Sequence, residues 1–259
     1  MVWYFNQKRR NVVKVNLDLC FPQWSEEEKM RISQRHFEIM GQAMLDASIL
    51  WFGSEARILK LVDLEGWEYY LAAREQQKNV ILHVAHSAGL EFGVMVTGSR
   101  APGLGPYKPL KNPIVDRYVY RSRTRFGSEA STREEGFRPM IKALKQGKLL
   151  FMLSDEDLGP ELSVFANFFA ESKATLYSAG RLAKVTNAIV LPMITVFDEK
   201  RRKYVAKLLP ALKDFPSGDQ LADATLLNQS IEQMTMIAPE QYMWTLKLFK
   251  TRQDGQRVY

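Results

Sequence analysis

The chain reads as an α/β protein with a mixed, mainly parallel central sheet flanked by helices, and three observations point there. Short apolar runs rich in Val, Ile, Leu and Phe at 79–85 and 148–153 are too short for buried helices and read as buried strands. Stretches with helical spacing separate these runs, the pattern of strands joined by crossover helices. Late in the chain, 188–197 and 203–209 read as an antiparallel pair, which makes the sheet mixed.

The elements follow in order. Ser25 with Glu26, Glu27 and Glu28 is a capped, acidic helix start, and Ile32, Phe37, Met40, Met44 and Leu45 continue at helical spacing to a break at Gly53. After the strand at 79–85, Ser87 is a natural N-cap for a helix from 88 to 96. Residues 99–113, studded with Pro102, Gly103, Gly105, Pro106, Pro109 and Pro113, read as a long connection. Arg117, Arg121 and Arg125 then share a helical face, with Arg123 apart from them; this is either a solvated cationic face or an anion site. A surface helix over 136–147 ends at Gly147 and leads into the strand 148–153. A helix is expected from 174 to 185 after the apolar run 164–170, and a long final helix over 218–237. Pro192 suggests that the strand 188–197 is an edge or carries a bulge.

With 259 residues, 46% of them hydrophobic, the chain can bury one substantial core, and 1–259 reads as a single domain with a helical, membrane-proximal part over 1–52. Its single cysteine excludes an internal disulfide. The net charge of +7 favours an anionic partner, whether nucleic acid, a phosphorylated small molecule, an anionic membrane surface or an acidic carrier protein. No nucleic-acid-binding motif is recognisable, so that partner is set aside. No run is long and apolar enough to span a bilayer. Trp3, Tyr4 and Phe5 beside Lys8, Arg9 and Arg10 suit a membrane–water interface, or equally a disordered basic terminus.

The chemistry concentrates after the first strand. If Ser87 caps the helix, His86 and Glu91 occupy the paired positions of a hydrophobic staple and should touch. A carboxylate on one imidazole nitrogen leaves the other as a base for a hydroxyl or thiol proton. The competing reading is a satisfied histidine at a strand end with a Glu favoured by the helix dipole. His83 and His86, three apart, point to opposite faces, and only His36 and Cys20 could add to them, so no metal site and no cofactor are expected. Asp155, Glu156 and Asp157 follow the strand 148–153 directly, where ligands gather in α/β sheets, although caps and turns use such acids as well.

Eight segments in order resemble one family, the late acyltransferases of lipid A biosynthesis, within the lysophospholipid acyltransferase superfamily. They are Asn16-Leu17-Asp18-Leu19-Cys20-Phe21-Pro22, Glu65-Gly66-Trp67-Glu68, His86 with Glu91, and Lys111-Asn112-Pro113-Ile114-Val115-Asp116. Asp155-Glu156-Asp157-Leu158-Gly159-Pro160, Ser163-Val164-Phe165-Ala166-Asn167-Phe168-Phe169-Ala170 with Lys173-Ala174-Thr175, Pro239-Glu240-Gln241-Tyr242-Met243-Trp244 and Phe249-Lys250-Thr251-Arg252 complete the set. Gly89-Leu90 stands where many relatives carry Asn-Trp, and residues 245–248 replace a basic stretch, so the resemblance identifies the family and leaves the branch open.

The resemblance implies a glycerolipid-acyltransferase-like fold and transfer of a fatty acyl group from acyl-carrier protein to a hydroxyl on an acyl chain of a Kdo-bearing lipid A precursor. It implies His86 as general base with Glu91 holding it, and a location on the cytoplasmic face of the bacterial inner membrane. The family's membrane-anchoring helix precedes the position matching residues 1–10, and the full-length protein is expected to be bound through it. Arg123 is the arginine that the superfamily spacing favours for the oxyanion, with Arg121 and Arg125 as rivals and the backbone near Ala88 and Gly89 as an alternative donor. Asp155 and Asp157 would orient the acceptor or hold that arginine, and residues 164–169 could line an acyl slot or rest on the membrane. Other acceptors, glycolipid or phospholipid, and a catalytically idle lipid-binding homologue are the alternative readings.

Overall fold

In the computed structural model, which describes residues 6–259, a seven-stranded sheet carries the chain's chemistry on its strand ends. Trp3, Tyr4 and Phe5 lie outside the described residues. The helices α1 (Gln7–Cys20), α2 (Glu26–Phe52) and α3 (Glu55–Leu61) lead into β1 (Val62–Glu65), α4 (Trp67–Glu75) and β2 (Asn79–Val84). Then come α5 (Leu90–Arg100), β3 (Gly103–Tyr107), α6 (Pro113–Arg123), β4 (Glu129–Thr132), α7 (Arg138–Lys145) and β5 (Leu149–Met152). The antiparallel hairpin β6 (Ser163–Phe168) and β7 (Glu171–Leu176) stands outside the main sheet. Last are α8 (Ser178–Thr186), β8 (Ala188–Asp198), β9 (Lys203–Leu208) and α9 (Gln220–Thr235).

The strand order is β1-β9-β8-β2-β5-β3-β4, parallel throughout except for β8 against β9. The expected mixed, mainly parallel sheet is therefore present. The central strand β2 is buried on both faces, as parallel strands require. Val80, Leu82 and Val84 pack with Ala73, Ala101 and Phe151, whereas Ile81 packs on the other side with Leu144, Leu182, Val190 and Leu227. Among the described residues no helix is long and apolar enough to cross a membrane.

Local chemistry explains the well-read elements. The Ser25 hydroxyl accepts the Glu28 N–H at 3.1 Å at the start of α2, a cap worth about 1 kcal/mol. Asn112 does the same for α6, with Pro113 at its first position, where a proline needs no N–H partner.

Four elements differ from the sequence expectation. The connection 99–113 contains β3, because Gly103 lets the backbone lie against Leu149 and Phe151, within 3.1 Å of where a Cβ would stand. Residues 174–176, expected to open a helix, are instead the end of β7, since pairing with β6 through Phe165↔Ala174 overrides local propensity, and the helix starts at Ser178. Pro192 lies inside the sheet, at the point where the β8–β9 ladder runs out: the register with β9 begins at Met193, and beyond it the Pro192 carbonyl accepts from Leu209 N–H at 2.9 Å, so only the N–H that proline lacks goes unused. Finally, α5 begins at Leu90 with Gly89 as its N-cap, not at Ala88 behind Ser87. A Cβ on Gly89 would stand 2.9 Å from the Thr195 carbonyl oxygen, and one on Gly93 would overlap the Thr195 hydroxyl. Those two glycines let the helix settle against β8, and Ser87 instead donates its hydroxyl to Thr195 O at 2.6 Å.

Candidate active site

The parallel register of β2 and β5 builds the site. His83 lies opposite Met152, so the residues three further along each chain, His86 and Asp155, emerge side by side beyond the strands' carboxyl ends. Asp155 accepts two hydrogen bonds from His86, the backbone N–H at 2.9 Å on one oxygen and ring Nδ1–H at 2.6 Å on the other. That pairing fixes the neutral ring with Nε2 unprotonated. The His86 side chain is 14% exposed and that of Asp155 wholly buried, so the carboxylate is held inside while the ring edge reaches the surface. Glu156 Oε1 lies 3.7 Å from Nε2.

Electrostatics follow from this burial. Desolvation works against a charged His86, but the charge and hydrogen bond of Asp155, with Glu156 and Glu91 further off, outweigh it and raise its pKa above the ordinary 6.5. Burial likewise opposes the Asp155 carboxylate, yet His86 and Lys173 bring it down to about 2. His83 faces the other side of β2, bonded to Ser154 and Ser230, and burial lowers it to about 4.

The loop carrying His86 is pinned by main-chain bonds to the segment 241–243. Met243 N–H donates to His86 O at 2.9 Å, and Ala88 N–H to Gln241 O at 3.0 Å. The Gln241 amide in turn clamps Phe197 N–H and C=O, and Asn16 donates to Trp244 O and Leu246 O, both at 2.7 Å. Motif blocks far apart in sequence thus converge on one loop and fix the histidine.

The expected contact between His86 and Glu91 is corrected: the carboxylate on His86 is Asp155. The staple geometry requires the helix to begin behind Ser87, and the start at Leu90 puts Glu91 second in the helix with His86 outside it. Glu91 instead receives both Nε–H, at 3.0 Å, and an Nη2–H from Arg123, a bidentate pair joining α5 to the last turn of α6. Burial disfavours the guanidinium charge, and Glu91 more than restores it. Arg123 also lies 5.8 Å from the centre of the Tyr107 ring.

Asp157 neither holds an arginine nor faces His86. Its carboxylate accepts from the Thr251 backbone and hydroxyl and from Gly159 N–H, anchoring the segment 249–252. Nor does Asp155 hold an arginine: each of its oxygens accepts from His86. Arg121 and Arg125 are exposed, lining a shallow depression with Leu50, Trp51, Phe52 and Tyr118 away from Glu91. The Ala88 N–H proposed for an oxyanion is already committed to Gln241. Of the run 164–169, Phe168 is core and Phe169 packs on Phe21 and Trp244. Sequence reasoning missed Asp155 as the partner of His86, and also the roles of Gln241 and Lys173. Two apolar runs each followed by a titratable group were visible, but not that the two strands are neighbours.

Comparison with known proteins decides the family. The family model for bacterial lipid A biosynthesis acyltransferases matches residues 1–251. The chain belongs to that family. It is 33% identical over 254 residues to a lipid A biosynthesis acyltransferase of Haemophilus influenzae, covering 98% of this chain and 79% of the relative. It is 33% identical over 252 residues to the lipid A biosynthesis lauroyltransferase of Escherichia coli, covering 97% and 82%. The lipid A biosynthesis myristoyltransferase of the same organism is 35% identical over 244 residues, covering 93% and 75%. This lipid A acyltransferase therefore carries out acyl transfer in lipid A biosynthesis, and its α/β sheet presents His86, Asp155, Glu91 and Arg123 at one set of strand and helix ends.

Proposed function

We propose that the lipid A acyltransferase moves a fatty acyl chain from acyl-carrier protein to a hydroxyl on an acyl chain of a Kdo-linked precursor, with His86 as general base. The carrying observation is the His86 ring, fixed on Nδ1 by buried Asp155 with its Nε2 edge toward the surface. Nε2 takes the hydroxyl proton as that oxygen attacks the thioester carbonyl. The new C–O bond forms, the C–S bond breaks, and the imidazolium returns the proton to the departing thiolate. Such a base contributes roughly 10²–10⁴-fold. Asp155 keeps the tautomer and stabilises the imidazolium, the part a buried Asp plays in a Ser-His-Asp triad. Glu91 acts one step away, orienting Arg123 so that the guanidinium meets the charge developing on the carbonyl oxygen.

The proposed workplace is the cytoplasmic face of the inner membrane. Met44, Leu45 and Phe52 on one face of α2 are 65–78% exposed, and Tyr118 joins Phe52 to α6, where Ile114 is exposed beside Arg117 and Arg121. Apolar side chains rimmed by arginines suit anionic lipid. The same α6 carries Arg123 on its opposite side, which would bring the site close to the lipid acceptor.

The test is mass spectrometry of lipid A precursors incubated with acyl-carrier-protein donors of several lengths. Acylated product that disappears in His86→Ala, with the fold retained by circular dichroism, is the expected result. Full activity of His86→Ala would remove the general-base reading, and product formed only from another donor class would remove the carrier-protein reading.

A further inference from the structure

Lys173, in β7, is a buried ammonium for which the reaction as described has no use. Its side chain is wholly buried, and Nζ has no hydrogen-bond partner among the described residues; it stands 5.7 Å from the centre of the Phe168 ring. An uncompensated buried cation is costly, and what compensates this one is charge. Asp155 and Asp157 act on it most strongly and Glu156 less, while the Cys20 thiol that also faces it is kept neutral by burial. His83 and Asp155 in turn feel its charge from their own side. Tyr242, whose buried hydroxyl feels the charge of Asp155, and Tyr259, beside Asp157, stand in the same surroundings.

We propose that Lys173 is a positioning residue whose buried charge balances Asp155, so that His86 can rest in its neutral, proton-accepting form. The inference rests on the general-base reading of His86. The reason is charge counting in a poorly solvated cluster. Asp157 is held by its own donors at Thr251 and Gly159, and Glu156 is 45% exposed to water, so the buried trio is Lys173, Asp155 and His86. With Lys173 positive and Asp155 negative, a neutral His86 leaves that trio at zero net charge. Without Lys173, a neutral His86 would leave a lone buried carboxylate, and the cluster would relieve it by keeping the imidazole protonated, which is useless as a base. Lys173 thus opposes the proton-holding pull of Asp155 while leaving its orienting hydrogen bonds intact. Burial lowers the ammonium to about 8, against the opposing pull of Asp155 and Asp157, so it is still charged near neutrality.

The experiment is the pH profile of kcat/KM for Lys173→Met, which keeps most of the side chain's volume and removes the charge. The acid limb is expected to move to higher pH by about one unit, with the high-pH plateau within several-fold of the parent. In an Asp155→Asn background the same change should shift the His86 titration, followed by imidazole NMR, by clearly less than in the parent. An acid limb moved by less than about 0.2 unit, or equal shifts in both backgrounds, overturns the proposal. Should Lys173→Met not fold, the unmodified protein decides. The titration of Lys173, followed at its Cε resonance, is expected to appear as an inflection in the His86 ring resonances as well, and a His86 ring blind to the Lys173 titration would overturn the coupling. Activity surviving in His86→Ala would instead defeat the reading on which the inference rests, so the two failures are distinguishable.

Discussion

Asp155→Asn separates the pairing seen in the structure from the one the sequence suggests. Asp155 offers one oxygen to the His86 backbone N–H at 2.9 Å and the other to Nδ1–H at 2.6 Å. Asparagine keeps one oxygen and presents an NH₂ in place of the other. If the oxygen stays on the backbone N–H, the NH₂ faces Nδ1, which must then accept, and the proton moves to Nε2, where the base is needed. The expected loss in kcat is about 10³–10⁴, the size seen when an Asp-to-Asn change fixes the wrong histidine tautomer in a serine-protease triad, equivalent to about 4–5 kcal/mol of barrier. If the amide flips instead, a buried N–H loses its acceptor at a cost of about 1–3 kcal/mol in stability, visible in urea. The assay pairs acyl-transfer kinetics with ¹⁵N NMR of the His86 ring, for Asp155→Asn and Glu91→Gln in parallel. Glu91→Gln should lower turnover by loosening Arg123 while leaving the tautomer unchanged. A tautomer that responds to Glu91→Gln and ignores Asp155→Asn would refute this reasoning.

Three further outcomes are expected. His36 and His83 are both buried and depressed from 6.5 to about 4, chiefly by desolvation. Between those values the unfolded chain binds protons that the folded one does not, so stability is complete above about 6.5 and falls as the pH drops toward 4, by up to about 3 kcal/mol per histidine; urea midpoints equal at pH 7 and 4.5 would contradict this. Gly93→Ala would drive its methyl into Thr195 Oγ1 and should cost about 1–3 kcal/mol by overpacking, partly recovered with Thr195→Ala; an unchanged melting temperature for the single variant would show that α5 sits further from β8. Leu45→Ser/Phe52→Ser should weaken co-sedimentation with anionic vesicles at least about tenfold, with little effect on stability because both side chains are exposed, and equal binding would move the membrane face elsewhere.

How much of this was legible in the sequence depends on the range of the forces involved. The strands 79–85 and 148–153, the long helix α2 and the closing pair β8 and β9 are set by local apolar patterning, and all are present. The errors fall where tertiary contact decides. Residues 174–176 read as the start of a helix but find a strand partner in β6. Pro192 reads as an edge marker, yet β8 lies between β9 and β2, its ladder with β9 starting one residue later. The start of α5 moved by two residues because Gly89 and Gly93 allow contact with Thr195, which no local rule detects. That shift was enough to misassign a carboxylate.

Its consequence is chemical. Had His86 been held by Glu91, 36% exposed, the imidazolium would be stabilised by a carboxylate that water screens on one side. Asp155 is wholly buried and accepts two hydrogen bonds from the same residue, so it fixes both the ring and the backbone that carries it. Glu91 is thereby free to hold Arg123 bidentately, and under the proposed mechanism this division would put the acid–base pair at the strand ends and the oxyanion-binding pair on α5 and α6. The two demands of acyl transfer, a base for the hydroxyl and a cation for the oxyanion, are opposite in sign, and a single shared carboxylate would weaken both. Separate carboxylates let each group keep its own charge state, so removing Asp155 should move the pH profile far more than removing Glu91, whose charge reaches His86 only from further off, although both lower turnover.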